Sequence, residues 1–444
     1  MPIHGHTGLM PPECVPCVHG FCPYHRPAAG AVARLSDAGH QRHIHAVTAL
    51  AFAGGLGGGV VFPILPLLGL QLGIAPLLVG LILSLNRIVR LLVNPLTGTL
   101  VDRFGARWPL IAGLLVEAIA TLLFAAGVHS GHAAAWFLAG RALWGVGSSL
   151  LMVGALAAAL IYSDAGNRGL ASGKVRMALS IGVPAGLVLG GLVSDRYSPE
   201  AAFLAAAVIT FLGVLVSLFI APRGSGPVAG AGKQTSNGAS LRGLLRSRPL
   251  WALWLLNFLV FFSVQGVILS CLVLVLHQRQ LNMHIWGAEG TSGVLMAVMI
   301  GASALVAVVV GKAIDHSRRK AWPIAVGSLL LICGFILLAL AHSTLLAAAA
   351  LALIGVGLGG INVPLLVIMG DWVAPSVYGR AVGIYQFIGD IGGSLGPIAG
   401  IEAMHRFGGT DTLLALAGFM VLALPLVGSV WRRERKGKGA LQTA

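Results

Sequence analysis

From residue 46 to residue 430 the chain alternates long apolar runs with short polar turns. Each run approaches the twenty or so apolar residues that a helix needs to cross a bilayer core. Twelve such helices are predicted, near 46–70, 76–100, 108–127, 134–161, 175–194, 201–221, 249–276, 292–312, 322–341, 344–370, 380–401 and 411–430. Most turns between them are short, as antiparallel neighbours require. The exception, residues 222–248, is rich in Gly, Ser, Lys and Arg and reads as a flexible linker. The pattern predicts an all-α polytopic membrane protein of twelve transmembrane helices in two six-helix bundles, 46–221 and 249–430. Residues 1–45 are polar and rich in Pro and Gly, a composition expected to stay disordered, and 431–444 form a basic tail.

Composition supports that reading. Hydrophobic residues make up 57% of the 444 and charged residues 10%, where a soluble chain carries about a quarter charged. The net charge of +15 invites a nucleic-acid reading, but its placement argues for a membrane instead. Of the Lys and Arg, Arg196, Arg279 and Arg406 fall on one side of the spans, Arg87, Arg90 and Arg141 fall within them, and all others fall on the opposite side. Such a bias places both termini in the cytoplasm, here of a bacterial plasma membrane. No nucleic-acid partner is expected. The expected partners are the lipid bilayer and a small solute, with the chain acting as a monomer.

One turn between spans is distinctive. Gly98-Thr99-Leu100-Val101-Asp102-Arg103-Phe104-Gly105-Ala106-Arg107 has the form G-x-x-x-D-R-x-G-x-R, and Trp108 follows it. A weaker copy, Gly311 to Lys320, keeps the acid four residues after the glycine (Asp315), with Trp322 beyond its basic cluster. A second echo lies in spans five and eleven, where Gly169, Gly173, Gly182, Gly186 and Gly190 match Gly379, Gly383, Gly392, Gly396 and Gly400 at a common offset of 210. The two echoes point to a duplicated chain. Glycines four apart share one helix face and let backbones approach closely. That serves either plain helix packing or the sliding of helices 5 and 11 across the interface between halves.

The 98–107 turn resembles the signature loop between helices 2 and 3 of major facilitator superfamily transporters, and the resemblance covers roughly 46–430. Arg141-Ala142-Leu143-Trp144-Gly145-Val146-Gly147 is similar to that family's R-x-x-Q-G-x-G, with Trp in place of Gln. Gly182 to Gly191 is similar to the fifth-helix motif of its twelve-helix drug/proton antiporter branch. That motif's Gly-Pro pair is absent there and appears at Gly396-Pro397. The first span, with Val61-Phe62-Pro63-Ile64-Leu65-Pro66, also looks like the opening helix of those efflux pumps. The resemblance implies a gating role for Gly98, Asp102, Arg103, Gly105 and Arg107 and their counterparts Gly311 and Asp315. Asp102 would meet the positive N-terminus of helix 11 and latch one side shut. It also implies a midplane cavity lined by helices 1, 4, 7 and 10, for which Trp144, Ser148, Asn257, Phe261, Gln265 and Asn362 are the candidates. Few charges and several aromatics there suit an amphipathic or hydrophobic solute.

Ionisable groups inside a membrane are costly and mark function. At 1.5 Å per residue, Arg90, Arg87 and Glu117 lie about 12, 16 and 14 Å from the basic side. The 2–3 hairpin is therefore predicted to pair Glu117 with Arg87 or Arg90. Arg141 lies about 10 Å below the other surface. In the family this arginine tunes a carboxylate, often in helix 1, yet residues 46–70 contain no acid. Asp390, whose repeat counterpart is Ser180, is the expected proton-coupling residue, ahead of Glu117.

The N-terminal stretch holds Cys14, Cys17, His19, Cys22 and His25, whose C-x-x-C spacings suit zinc. The loop closing the second pair is very short, and the preferred reading is no metal: a disordered tail, or a start codon set too far upstream. Cys271 and Cys333 lie in apolar spans and read as buried thiols. No G-x-x-x-x-G-K-[ST] loop and no clustered catalytic set is present, so neither direct ATP use nor an enzyme is expected. The function expected is secondary active transport of a small organic solute by alternating access, as proton-coupled efflux, with no cofactor beyond a proton gradient. The alternatives are metabolite uptake or facilitated diffusion and, in another class, a sensor or assembly factor on the same scaffold.

Overall fold

A computed structural model describes residues 29–161, 168–220, 246–283, 285–315, 319–373 and 378–436. Six helices build the first half: α1 (Ala29–Gln71), α2 (Pro76–Phe104), α3 (Arg107–Val128), α4 (Ala133–Ile161), α5 (Arg168–Arg196) and α6 (Pro199–Ile220). The second half begins with α7 (Arg248–Gln278), followed by α8 (Ala288–Asp315), α9 (Trp322–Ala339) and α10 (Thr344–Trp372). A last apolar stretch, Ala381–Arg435, runs 55 residues. A straight helix of that length would measure about 80 Å, far more than a bilayer core. It breaks at Gly408, whose φ of 84° and ψ of 169° are not helical. The break separates α11 (378–407) from α12 (409–436, with a turn at Leu422), giving the twelve predicted spans.

The boundaries depart from expectation in two places. α1 starts at Ala29 rather than 46, so residues 29–45, expected to be disordered, continue the first span as helix. Once a span is nucleated, each added residue gains a hydrogen bond at little cost. The second departure lies inside α7, where Phe261–Ile268 forms a π-helical segment between two α-helical ones. Nothing in the apolar pattern announces it, because periodicity does not register one widened turn.

Within each half the closest seams are glycine-made. Helix α5 packs on α1, with Gly182 against Gly55 and Gly186 against Gly59; a Cβ on Gly186 would overlap the Leu56 carbonyl. Helix α11 packs on α7 in the same manner, Gly396 against Gly266 and Gly392 against Phe258. Gly190 meets Val60, and Gly400 meets Val267 and Cys271. In this form Gly182, Gly186 and Gly190, and Gly392, Gly396 and Gly400, hold helices of one half together by close packing.

The halves themselves meet chiefly along two seams, α2 with α11 and α5 with α8, and α1 also packs on the C-terminal part of α7. In the first, Gly80 lies against Pro397 and Ile398, and Ser84 Oγ donates to the Ser394 carbonyl. In the second, Gly293 abuts the Leu187 carbonyl and Gly191 abuts Glu289. Both seams lie toward the end remote from the 98–107 turn. Toward the basic end a Cβ on Gly98 of α2 or on Gly383 of α11, both on the faces that meet the other half farther along, would find nothing within 4 Å. The molecule is therefore closed between its halves at one face and parted at the basic face.

Candidate functional site

Where the α2–α11 seam reaches mid-membrane, its contacts turn from apolar to ionic. Arg90, near the middle of α2, places Nη2 3.2 Å from Asp390 Oδ1 on α11. Asp390 is 5% exposed, and Gln386 Nε2, one turn earlier, approaches the same oxygen at 3.4 Å. One turn along α2, Arg87 lies against Gly393, a position where any side chain would collide with the guanidinium. Its Nη2 donates to the Gln265 carbonyl at 3.1 Å. Gln265 lies in the π segment of α7, whose widened turn suits a carbonyl shared with a partner outside the helix. Gln265, expected to contribute to a cavity, thus contributes a backbone oxygen to an inter-half contact.

Depth alone misled the pairing of Glu117. It lies level with the arginines, but α2 turns its charged face to α11 while α3 packs on α4 and α6. Glu117 sits 1% exposed between Gly54 of α1 and Gly147 of α4, and its Oε2 has no hydrogen-bond partner. Among the described residues it makes no ion pair with Arg87 or Arg90. Arg141 is fully buried, its guanidinium 5.3 Å from the Phe62 ring centroid, with one long bond of 3.5 Å to the Leu83 carbonyl. Among the described residues no carboxylate pairs with it.

The remaining cavity candidates divide. Trp144 is 3% exposed and fills the space left by Gly57 and Gly58 of α1, so it is core rather than open lining. Ser148 donates to the Gly145 carbonyl of its own helix. Asn257 donates to the Tyr385 carbonyl at 2.8 Å, tying α7 to α11, and keeps Oδ1 unpartnered. Phe261 lies beside Gly389 on the same contact, and Asn362 Oδ1 is also unpartnered. Ser149, one residue from a candidate, joins a polar string: its Oγ donates to Asn94 Oδ1 at 2.8 Å and lies 2.8 Å from Thr97 Oγ1, linking α4 to α2.

In the 98–107 turn, Gly105 takes φ 75° and closes α2 with a bond from its N–H to the Val101 carbonyl. The invariant demand is geometric: only glycine enters that region freely. Arg107 donates to the Leu218 carbonyl near the end of α6, within its own half, and Arg103 stacks over Phe104. A Cβ on Gly311 would come within van der Waals contact of Val363. The side chains of Asp102 and Asp315, and Cys14, Cys17, His19, Cys22 and His25, lie outside the described residues.

A further inter-half contact joins α5 to α8. Asp195, at the end of α5, accepts from the Gly290 N–H at 2.6 Å and reaches the amides of Gly287 and Glu289 as well. It caps the N-terminus of α8, where partial positive charge favours a carboxylate. The available signal was an acid ending one span opposite the small-residue start Gly287-Ala288-Glu289-Gly290 of another.

Comparison with known proteins agrees with this architecture. The sequence model of the Major Facilitator Superfamily matches residues 47–397 and 286–443. Over 399 residues the chain is 28% identical to the multidrug efflux protein YfmO of Bacillus subtilis, covering 88% of this chain and 94% of that one. It is 34% identical over 143 residues to the synaptic vesicular amine transporter of Mus musculus, covering 32% of this chain and 27% of that protein. Among solved structures, a bacterial homologue of the human lysosomal transporter Spinster superposes with a TM-score of 0.70 at 16% identity, covering 88% of this chain and 96% of that one. Twelve spans, two glycine-sealed halves and a match across most of the length place the chain in one family: it belongs to the Major Facilitator Superfamily and is a membrane transporter rather than an enzyme.

Proposed function

We propose that the chain is a proton-coupled exporter of small organic solutes, working by alternating access in a bacterial plasma membrane with both termini in the cytoplasm. The observation that carries the reading is the Arg90–Asp390 pair, an ionic contact between the two halves at mid-membrane. In the form described, the halves are joined on the face remote from the basic loops and parted on the basic face, a cytoplasm-open arrangement. Opening the other face requires the α2–α11 and α5–α8 seams to separate, and the ion pair lies in the first of them.

A proton delivered to Asp390 cancels the charge that Arg90 holds. With Arg90 keeping some exposure, removing its partner costs about 1–3 kcal/mol, enough to redistribute two conformers of similar energy. Proton entry and seam release are then one event, and the reverse event accompanies solute exit. The full-length likeness to a multidrug efflux protein supports export as the direction. Purified protein in proteoliposomes under an imposed pH gradient tests the coupling. Solute flux should follow the gradient in wild type and lose that dependence in Asp390→Asn; gradient-driven flux surviving in that variant would remove Asp390 from the mechanism.

A further inference from the structure

Away from the inter-half seams, a cluster of arginines at the basic face of the C-terminal half surrounds a cavity. The cavity measures about 320 Å³ and forms where α7 begins and α10 and α12 end. Arg248 and Pro249 come from the first turn of α7, Trp372 from the end of α10, and Ser429, Arg432 and Arg433 from the last turns of α12. Arg248, Ser429 and Arg432 are exposed along its rim. Arg433 is half-buried and lays its guanidinium over the Trp372 ring, 5.0 Å from the centroid. Stacking uses the face of a guanidinium and leaves its N–H edge to donate.

Among the described residues no carboxylate pairs with these three cations. Asp371 and Glu434, their neighbours in the chain, are engaged elsewhere. Asp371 binds Lys320 Nζ at 2.8 Å, and Glu434 accepts from the amide N–H groups of Lys320 and Ala321. The ends of α10 and α12 bring about half a negative unit each and the start of α7 about half a positive one, so the guanidinium charges stay largely unbalanced. Ser247, at the N-cap of α7, makes no side-chain cap bond that would offset that positive end. The topological bias accounts for arginines on this face, but not for their convergence on one cavity without an acid. An oxyanion fits it, because the planar fork of arginine matches phosphate through short, charge-assisted bonds.

Position selects the source of the phosphate. The cavity lies where three spans leave the bilayer, and Trp372 in its wall is a residue that favours the headgroup level. Arg248, Trp251 and Leu255 share one face of α7, and the last two are 39% and 41% exposed. On α12, Ser429, Pro425 and Leu422 share a second exposed face. Two apolar tracks therefore run from the cavity into the hydrocarbon, and a free phosphate would leave both uncovered. We propose that the cavity binds the phosphodiester headgroup of an anionic phospholipid from the leaflet at the basic face. Arg248, Arg432 and Arg433 hold its oxygens, and its acyl chains lie along the α7 and α12 tracks. The site belongs to the C-terminal half and is separate from the Arg90–Asp390 pair, so it does not depend on which solute is carried.

The test is the melting temperature of full-length protein in dodecylmaltoside, followed as lipid or phosphate is added. Dioleoylphosphatidylglycerol should raise it, with a midpoint concentration about tenfold or more below that of dioleoylphosphatidylcholine, whose choline neutralises its own phosphate. The double variant Arg248→Gln/Arg432→Gln should move the phosphatidylglycerol midpoint up about tenfold or more, the loss of at least one charged hydrogen bond. Lys174→Gln/Arg176→Gln removes the same charge from the start of α5 in the other half and should stay within about threefold of wild type. An equal loss in both double variants would reduce the effect to general surface charge and overturn the site. No rise with phosphatidylglycerol, or equal midpoints for the two lipids, would overturn it in wild type without recourse to any variant. Inorganic phosphate raising the melting temperature as far as phosphatidylglycerol does would assign the cavity to a soluble anion and overturn the lipid.

Discussion

Asp390 and Glu117 are both acids buried within spans, yet their surroundings differ in kind. Asp390 has a guanidinium at 3.2 Å, whereas Glu117 has glycines at its sides and an unpartnered oxygen. Asp390→Asn leaves Arg90 without a carboxylate and is expected to cost about 1–3 kcal/mol, less than a fully desolvated pair because Arg90 keeps some exposure. The melting temperature in detergent should fall accordingly. Glu117→Gln has nearly the same volume and breaks no ion pair, so its melting temperature should lie within about 3 °C of wild type, with coupling intact. A loss of gradient-driven flux in Glu117→Gln would move the proton site to α3. Asp390 was legible as an acid without a twin in the other repeat. Its partner was not, because depth fixes the level of a residue on a helix but not the direction it faces.

Among the helices, the signals that survived were those written in spacing. Twelve apolar runs became twelve spans, and glycines at a common offset became two equivalent seams, α1–α5 and α7–α11. Features that depend on three-dimensional meeting were silent, chiefly the π segment of α7 and the Asp195 cap on α8. The cap makes its own prediction. Asp195→Ala leaves the first amides of α8 without their acceptor, a loss of about 1 kcal/mol at a helix N-terminus. Because that contact joins the halves only on the closed face, the population should shift toward that face opening. Spin labels at Tyr197 and Ile285, both well exposed beside the cap, should show a longer mean distance in Asp195→Ala than in wild type. An unchanged distribution would reduce the cap to local packing. The labels require a background in which the remaining cysteines are replaced, including exposed Cys333.

Taken as one body, the protein concentrates its polar inter-half chemistry in a few places and seals the rest of both seams with small residues and carbon. Gly80 against Pro397, Ser84 against Ser394, Arg87 against Gly393 and Arg90 against Asp390 form a ladder descending α2 toward the basic face. Its lowest rung is ionic and borders the open space. A switch placed at that rung acts where separation of the halves has to begin or end. A single protonation is thereby tied to a movement of the whole molecule. The direct measurement is the distance between spin labels at exposed Leu77 on α2 and Phe407 at the end of α11, followed across pH in wild type and Asp390→Asn. Acidification should lengthen the wild-type distance, and Asp390→Asn should hold the long distance at every pH. A variant that kept the wild-type response to pH would contradict the assignment of Asp390 as the residue whose protonation releases the halves.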